Sequence, residues 1–344
     1  MTPGLMSNDQ SIIVQAPCRV DLAGGTLDIW PLYLFHPGAV TVNFAVSVLT
    51  RCRITPLPGP AIRLKSLDTG KAEDFRDFRE LASASRYSHP LAACLVKFFV
   101  PRSGFEMETN SESPAGAGIS GSSALMIAST AALARFTGRE LDREQIRVIA
   151  QNVEAQLIRV PTGCQDYYPA LYGGVSAIKL DPDGIHHEPV PLDLEELDRR
   201  FVLAYTGAPR QSGINNWKVF QAHINGDRRV LKNFDRIGEI ARAMHQALKA
   251  GDWKEMVHLL GEEWKLRKTN APRITTPLIE KLISTARRNG ALAAKVCGAG
   301  GGGCVVFLCE PGAKARVMAA LAAHGGRVLP ATVARAGLTY SGRL

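Results

Sequence analysis

Pro114-Ala115-Gly116-Ala117-Gly118-Ile119-Ser120-Gly121-Ser122-Ser123-Ala124 is the stretch on which the reading of this chain turns. Its glycines let the backbone turn N–H groups toward an anion, and the apolar helix expected from Ser122 to Phe136 adds the positive end of its dipole. The loop reads as a phosphate cradle, for which familiar spellings compete. Gly116, Gly118 and Gly121 satisfy the G-x-G-x-x-G pattern of a dinucleotide turn. That turn follows directly on a buried strand and needs an acidic residue at the end of the next one. Here Phe105 to Thr109 alternates like a half-exposed strand, polar Asn110 to Ser113 intervenes, and Asp142 lies in a charged helical stretch. An NAD-dependent oxidoreductase is therefore disfavoured. A Walker loop fails more simply, because the lysine it needs before the hydroxyl residue is replaced by Gly121.

Working outward, a chain of 344 residues with 46% hydrophobic content can bury one large or two medium cores. The net charge of +9 suits anionic ligands, but the cations are scattered, with no basic arm, zinc-finger spacing or RNP-like aromatic run. These features predict a basic surface without a nucleic-acid partner. Seven cysteines without a C-x-x-C pair read as reduced thiols rather than a disulfide scaffold or zinc site. No apolar run approaches about 18 residues and the first ten residues are polar, so the expectation is a cytoplasmic protein with no membrane partner, monomeric or homodimeric.

The periodicities predict strands first and helices later. Ser11 to Pro17 and Val40 to Pro56 alternate like strands, the second broken near Val48. Helices are expected over Pro90 to Phe99, Ser122 to Phe136 and Arg143 to Val160, with strands at Phe105 and over Val175 to Leu180. Beyond the turn at Pro182-Asp183-Gly184, a strand over Arg200 to Tyr205 precedes helices from Asn215 to Leu248, Trp253 to Arg267 and Pro277 to Asn289. Strands at Ala293 to Cys297 and Cys304 to Leu308, a helix over Ala313 to His324 and a strand over Gly326 to Ala331 complete it. The pattern is α+β, with two domains joined near Pro182 to Pro191.

Two further motifs carry chemistry. Gly298-Ala299-Gly300-Gly301-Gly302-Gly303 leads into a strand, not a helix, so it is no dinucleotide turn, and the run is longer than a tight hairpin needs. Ala16-Pro17-Cys18-Arg19-Val20-Asp21-Leu22-Ala23-Gly24-Gly25-Thr26-Leu27-Asp28 places a cation, Arg19, near a carboxylate, Asp28. A fixed cation can offset charge on a reacting group and a carboxylate can orient a polyol through two acceptor oxygens, the parts that the family resemblance described below implies for them. The alternative reading of that pair is a surface ion pair in a turn.

Taken together, these segments resemble the three motifs of the GHMP kinases, whose phosphate loop reads Pro-x-Gly-x-Gly-Leu-x-Ser-Ser-Ala and whose C-terminal motif reads Lys-x-x-Gly-Ala-Gly-Gly-Gly-Gly, reproduced at Lys295 to Gly303. The resemblance implies a two-domain fold: a ribosomal-protein-S5-like N-terminal domain over residues 1–188 and a ferredoxin-like α/β domain over 189–344. It implies ATP and Mg2+ as cofactors, with Gly116, Ala117, Gly118, Ile119, Ser120, Gly121, Ser122 and Ser123 cradling the phosphates. Ser123 and Glu154 would hold the metal. Asp166, within Gly163-Cys164-Gln165-Asp166-Tyr167-Tyr168, would be the catalytic carboxylate beside Arg19, either as base or as positioner. Asp28, Asp166, Gly300 and Gly301 would meet the substrate, and the C-terminal glycines would support the phosphate loop.

Within the family, the extra residue at Ser120-Gly121, the Gln165-Asp166 pair, the Tyr205 to Ser212 segment and the Gly261 to Lys268 helix are most similar to the heptose 7-phosphate kinase and fucokinase branch. The implied activity is phosphoryl transfer to a sugar or sugar phosphate. Galactokinase-like members carry Glu-His where Gly25-Thr26 stand, and the mevalonate-type first motif lacks the carboxylate of Asp28. A catalytically silent sugar and ATP sensor would have lost Asp166, Glu154 or Ser123; all three remain. Arg210 and Lys265 read as surface cations that could also meet a phosphate on the acceptor. Trp30 and Tyr33 read equally as a stacking platform or as core, Cys164 as a buried inert thiol, and His186-His187 as a solvated turn pair.

Overall fold

The computed structural model describes residues 11–209, 212–270 and 274–342. Its strands are β1 (Ile12–Ala23), β2 (Ala39–Pro56), β3 (Ile62–Ser66), β4 (Lys71–Phe75), β5 (Phe105–Ser111), β6 (Val175–Asp181), β7 (Gly184–Pro189), β8 (Phe201–Tyr205), β9 (Ala291–Val296), β10 (Cys304–Cys309), β11 (Arg327–Leu329) and β12 (Thr339–Ser341). The helices are α1 (Phe78–Ser83), α2 (Pro90–Phe99), α3 (Gly121–Phe136), α4 (Arg143–Ile158), α5 (Tyr168–Tyr172), α6 (Leu194–Arg200), α7 (Ser212–Ile224), α8 (Arg228–Ala250), α9 (Trp253–Asn270), α10 (Pro277–Arg288) and α11 (Lys314–Ala323). Among the described residues, no helix is long and apolar enough to cross a membrane.

The first sheet has eight strands, with β12-β1-β2-β5-β3-β4 as its main path and β6 and β7 branching from β2. Long β2 serves two neighbours, because its first half pairs with β6 and its second half with β5. The break expected near Val48 is a bulge. Pro17 faces Leu49 while Cys18 faces Val46, so two β2 residues are passed over on one β1 step. Such a bulge bends and twists the strand without ending it. The outer part of β1 alternates, with Ile12 and Val14 inward; from Ala16 onward the whole strand is buried. Arg19 and Asp21 therefore enter the interior on a rigid strand.

The second sheet, β11-β8-β10-β9, is antiparallel. In chain order its strands lie 4-1-3-2, the arrangement of the expected ferredoxin-like unit, and α10 and α11 cover an apolar cluster that includes Ile279, Leu282, Val305, Phe307 and Leu321. The tail then returns to the first sheet: Val333 bridges Val46, and β12 pairs with β1. We propose the domain boundary near residue 188 with this tail added to the first unit.

Helix ends follow local chemistry. Asp142, the acid a dinucleotide turn would have required, caps α4 instead, accepting from Gln145 N at 2.8 Å while Gln145 Oε1 accepts from Asp142 N at 2.9 Å. This reciprocal box satisfies two orphan donors. Thr276 caps α10 ahead of Pro277, and Gly251 ends α8 with φ of +64°. Strands β3, β4 and β7 and helices α1 and α6 are not legible from periodicity. His186-His187 lies in β7, not in a turn; His187 accepts or donates at Ser176 Oγ (2.9 Å) and stacks on Tyr172.

Candidate active site

A cleft of about 470 Å³ opens where the first motif, the phosphate loop and the Gly163–Asp166 segment meet. The loop is shaped by residues in the left-handed region: Gly116 (φ +67°), Gly118 (+78°) and Ser120 (+64°). Ser120 stands at the N-terminal end of α3, where the first-turn N–H groups of a helix have no partner within it, and Gly121, Ser122 and Ser123 of that turn line the cleft. Gly116, Ala117, Gly118, Ser120, Gly121, Ser122 and Ser123 line it. Ile119 does not; it is buried, and its carbonyl accepts from Arg19 N at 3.0 Å.

The C-terminal glycines clamp this loop from behind. Cys304 N donates to Ala117 O at 2.6 Å. A Cβ at Gly303 would lie 2.7 Å from that same carbonyl, which explains why no side chain stands there. Gly300 and Gly301, expected at the substrate, do not reach the cleft. A Cβ on Gly300 would meet Ile274 O at 2.3 Å, and Gly301 N donates to the same carbonyl at 2.9 Å. The space at Gly300 is taken up by close backbone packing, and Gly298 and Ala299 line the cleft.

Arg19 is 3% exposed and makes four side-chain hydrogen bonds. Nη1 donates to Gly118 O at 2.8 Å and Cys297 O at 2.7 Å; Nε and Nη2 donate to Asp166 Oδ1 at 2.9 and 2.6 Å. Burial opposes its charge, but Asp166 and Asp21 outweigh that and hold it protonated above its ordinary range. One side chain thus links the phosphate loop, the second glycine cluster and the candidate catalytic carboxylate.

Glu154, buried on α4, accepts from Ser122 Oγ (2.6 Å) at one oxygen and from Ser123 Oγ (3.0 Å) and Tyr167 Oη (2.7 Å) at the other. Burial and the neighbouring Glu154 push the Tyr167 phenol well up, so it stays a donor. The donor set is all hard oxygen beside the phosphate loop, which fits magnesium and not a softer metal. Ser120 Oγ is a buried hydroxyl without a partner at the same cradle. The loop's open N–H groups and this hydroxyl fit a polyphosphate.

Asp28 is 3% exposed, and its Oδ2 accepts from Gln165 N at 2.9 Å. Burial pushes its carboxyl up to about 7. Gly163 permits this approach, since a Cβ there would fall 2.0 Å from Asp28 Oδ2. Thr26, lining the same end, has φ of +82°, a strained conformation for a β-branched residue of the kind that collects at functional sites.

Sequence reasoning missed the buried charges under this end. Lys295 Nζ donates to Asp21 Oδ2 and Glu263 Oε1, both at 2.8 Å, and Arg267 Nη1 reaches Asp21 Oδ2 at 3.2 Å and Glu263 Oε1 at 3.5 Å. Burial raises the Asp21 carboxyl, but Lys295 and Arg267 outweigh it and hold it below its usual range. For Glu263 burial prevails and the carboxyl is raised. The four residues tie β1, β9 and α9 together. The available signals were Lys295 opening the C-terminal motif, and Glu263 and Arg267 four apart on one helix face.

Of the open readings, Tyr33 is core, packed with Cys164, Tyr168 and Ile178, and Trp30 is 67% exposed. Cys164 is buried, and burial raises its thiol far out of the reactive range. Lys265 is exposed and paired with Glu262 at 2.6 Å. Arg210 and Gln211 lie outside the described residues, as do the first ten residues.

Residues 87–174 match the family model described as GHMP kinases N terminal domain, and residues 244–327 match that of GHMP kinases C terminal; together the matches span half of the chain. The chain is 26% identical over 329 residues to the D-glycero-alpha-D-manno-heptose 7-phosphate kinase of Campylobacter jejuni, covering 93% of this chain and 95% of that protein. It is 27% identical over 356 residues to the L-fucokinase/L-fucose-1-P guanylyltransferase of Bacteroides fragilis, covering 92% of this chain but 36% of that longer protein. The crystal structure of a D-glycero-D-manno-heptose 1-phosphate kinase from Bacteriodes thetaiotaomicron superposes with a TM-score of 0.75 over 96% of this chain and 98% of that one. At 23% identity, that likeness concerns the fold.

Proposed function

This chain belongs to the GHMP kinases, and we propose that within that family it transfers the terminal phosphoryl group of ATP to a hydroxyl of a sugar or sugar phosphate. The observation that carries the reading is Arg19, which holds Asp166 Oδ1 with two donors and the Gly118 carbonyl of the phosphate loop with a third. The nucleotide end and the acceptor end of the cleft are thereby held in register by one buried side chain. The heptose-phosphate kinase and fucokinase relatives support a sugar as acceptor.

Each residue has a part in that chemistry. Both guanidinium bonds fall on Asp166 Oδ1, so Oδ2 is the oxygen presented to an acceptor hydroxyl, orienting it for in-line attack and taking its proton as the bond forms. Arg19 supplies fixed positive charge where negative charge gathers on the transferring group. The Gly116–Ser123 loop and the start of α3 hold the phosphates. Ser123 and Glu154 would hold Mg2+, which when bound neutralises charge on the phosphate oxygens. Asp28 anchors the acceptor.

The test is ATP consumption against a panel of free sugars, sugar phosphates and mevalonate, with the phosphorylated position read by phosphorus NMR. Turnover with a sugar or sugar phosphate is the expected result. Turnover with mevalonate and no sugar, or no turnover alongside tight ATP binding, overturns the reading.

A further inference from the structure

Next to Asp28, three polar side chains converge on Gly25. A Cβ there would lie 2.7 Å from Arg267 Nη1, 2.8 Å from Asp21 Oδ2 and 3.0 Å from Gln165 Nε2. Gly25 does not need glycine's backbone freedom, because its φ lies outside the left-handed region; glycine is there for space. All three neighbours line the cleft, although Asp21, Gln165 and Arg267 are only 1, 6 and 6% exposed.

Two of these side chains carry a buried acceptor without a partner: Asp21 Oδ1 and Gln165 Oε1. Buried acceptors are costly to leave unpaired. Arg267 Nη2 reaches Gly298 O at 3.5 Å, a long bond that leaves donor capacity. The charges restrict what completes the corner. A cation would meet Arg267 and Lys295, and an anion would meet the unpaired oxygen of Asp21. Neutral O–H groups meet neither obstacle, since they donate to the two oxygens and accept from the guanidinium.

We propose that Asp21, Gln165 and Arg267 form a hydroxyl-reading subsite beside Gly25, which selects acceptors presenting neighbouring hydroxyls on a neutral polyol face. The proposal rests on the sugar-kinase reading of the cleft. It assigns to this corner the part that a longer side chain at position 25 would otherwise play: reading the acceptor from the strand of the first motif. Lys295 and Glu263 beneath it act as positioning residues, because they hold Asp21 and Arg267 without facing the acceptor.

The experiment measures steady-state kinetics of the full chain with aldohexoses, 6-deoxyhexoses and their 2-, 3- and 4-deoxy analogues. In the unaltered protein, at least one deoxy analogue loses about tenfold or more in kcat/KM, the scale expected when a buried acceptor loses its partner. Gln165→Leu raises the KM of the parent sugar about tenfold, leaves the KM of ATP unchanged and abolishes that discrimination. Gly25→Ala, which keeps all three polar groups and fills their corner, also raises acceptor KM about tenfold with ATP unaffected. If the unaltered protein phosphorylates sugars but Gln165→Leu keeps the full penalty for every deoxy analogue, or Gly25→Ala leaves acceptor KM unmoved, the subsite is wrong and the kinase reading stands. If the unaltered protein phosphorylates no member of this panel and no sugar phosphate, both fall.

Discussion

Arg19 and Asp166 are 147 positions apart in the chain, yet two guanidinium nitrogens of the first end on one carboxylate oxygen of the second, at 2.6 and 2.9 Å. The arginine comes from an internal strand and cannot move; the carboxylate comes from the short segment before α5 and remains partly open to the cleft, with its side chain 23% exposed. A fixed charge holding a reachable acceptor is a suitable arrangement for orienting a hydroxyl.

Replacing that acceptor separates chemistry from nucleotide binding. Asp166→Asn keeps the shape but weakens the oxygen facing the hydroxyl, and kcat is expected to fall about a hundredfold or more. ATP affinity by calorimetry should change less than about threefold, because Arg19 holds the phosphate loop through Nη1, which bonds the Gly118 and Cys297 carbonyls and not Asp166. A parallel collapse of ATP binding would show that the pair is mainly structural.

Glu154 and its tyrosine give a metal-dependent readout. Glu154→Gln should raise the Mg2+ concentration for half-maximal rate about a hundredfold, and Tyr167→Phe, which removes one donor to Glu154 Oε2, about tenfold, in line with outer-sphere partners of metal ligands. Direct Mn2+ titration by electron paramagnetic resonance checks the same order without turnover. Equal Mn2+ affinity in all three proteins would remove Glu154 from the metal site.

Asp28 makes stability depend on pH in a defined window. Its carboxyl is pushed from 3.8 to about 7 by burial, so between about pH 4 and 7 the unfolded chain releases a proton that the folded chain keeps. Stability from this group therefore falls as pH rises through that window and is level above it. Asp28→Asn has no such proton. Its stability relative to the unaltered protein should increase from pH 4 to pH 7 and then stay constant, as read by urea denaturation at several pH values. A difference that does not change with pH would mean that Asp28 is ionised throughout.

Lys295 is 0% exposed between Asp21 and Glu263. Removing one member of a buried ionic group leaves the others uncompensated and costs about 3–5 kcal/mol. Lys295→Met should lose on that order in denaturant unfolding. A loss under about 1 kcal/mol would show that water or rearrangement replaces the ammonium.

The chemistry of the nucleotide end was legible because it is written locally. Glycine spacing, the hydroxyl pair and the start of the helix that follows lie within one continuous segment, and Glu154 was found from the resemblance to the family pattern that follows that segment. Some helix limits were legible for a similar reason, since Pro90 and Pro277 act within one turn; the helical stretch expected from Asn215 to Leu248 is instead two helices, α7 and α8, separated where Gly226 takes φ of +78° and Asp227 caps α8. Strand β7 was lost because His186 and His187 are polar and half-exposed at a sheet edge, where no apolar alternation marks them. Gly300 and Gly301 lie outside the cleft lining, and the sequence does not distinguish a glycine required for backbone packing from one required for ligand approach.

The sequence by itself determined the family, the two-unit α+β organisation and the identity of the phosphate loop, since these depend on short-range periodicity and on motifs that each lie within one segment. Only the tertiary structure brought together the corner proposed to read the acceptor. Asp21, Gln165, Arg267 and Lys295 belong to four segments that no local rule connects, and they meet at distances of about 3 Å in a corner buried enough for an unpaired oxygen to matter.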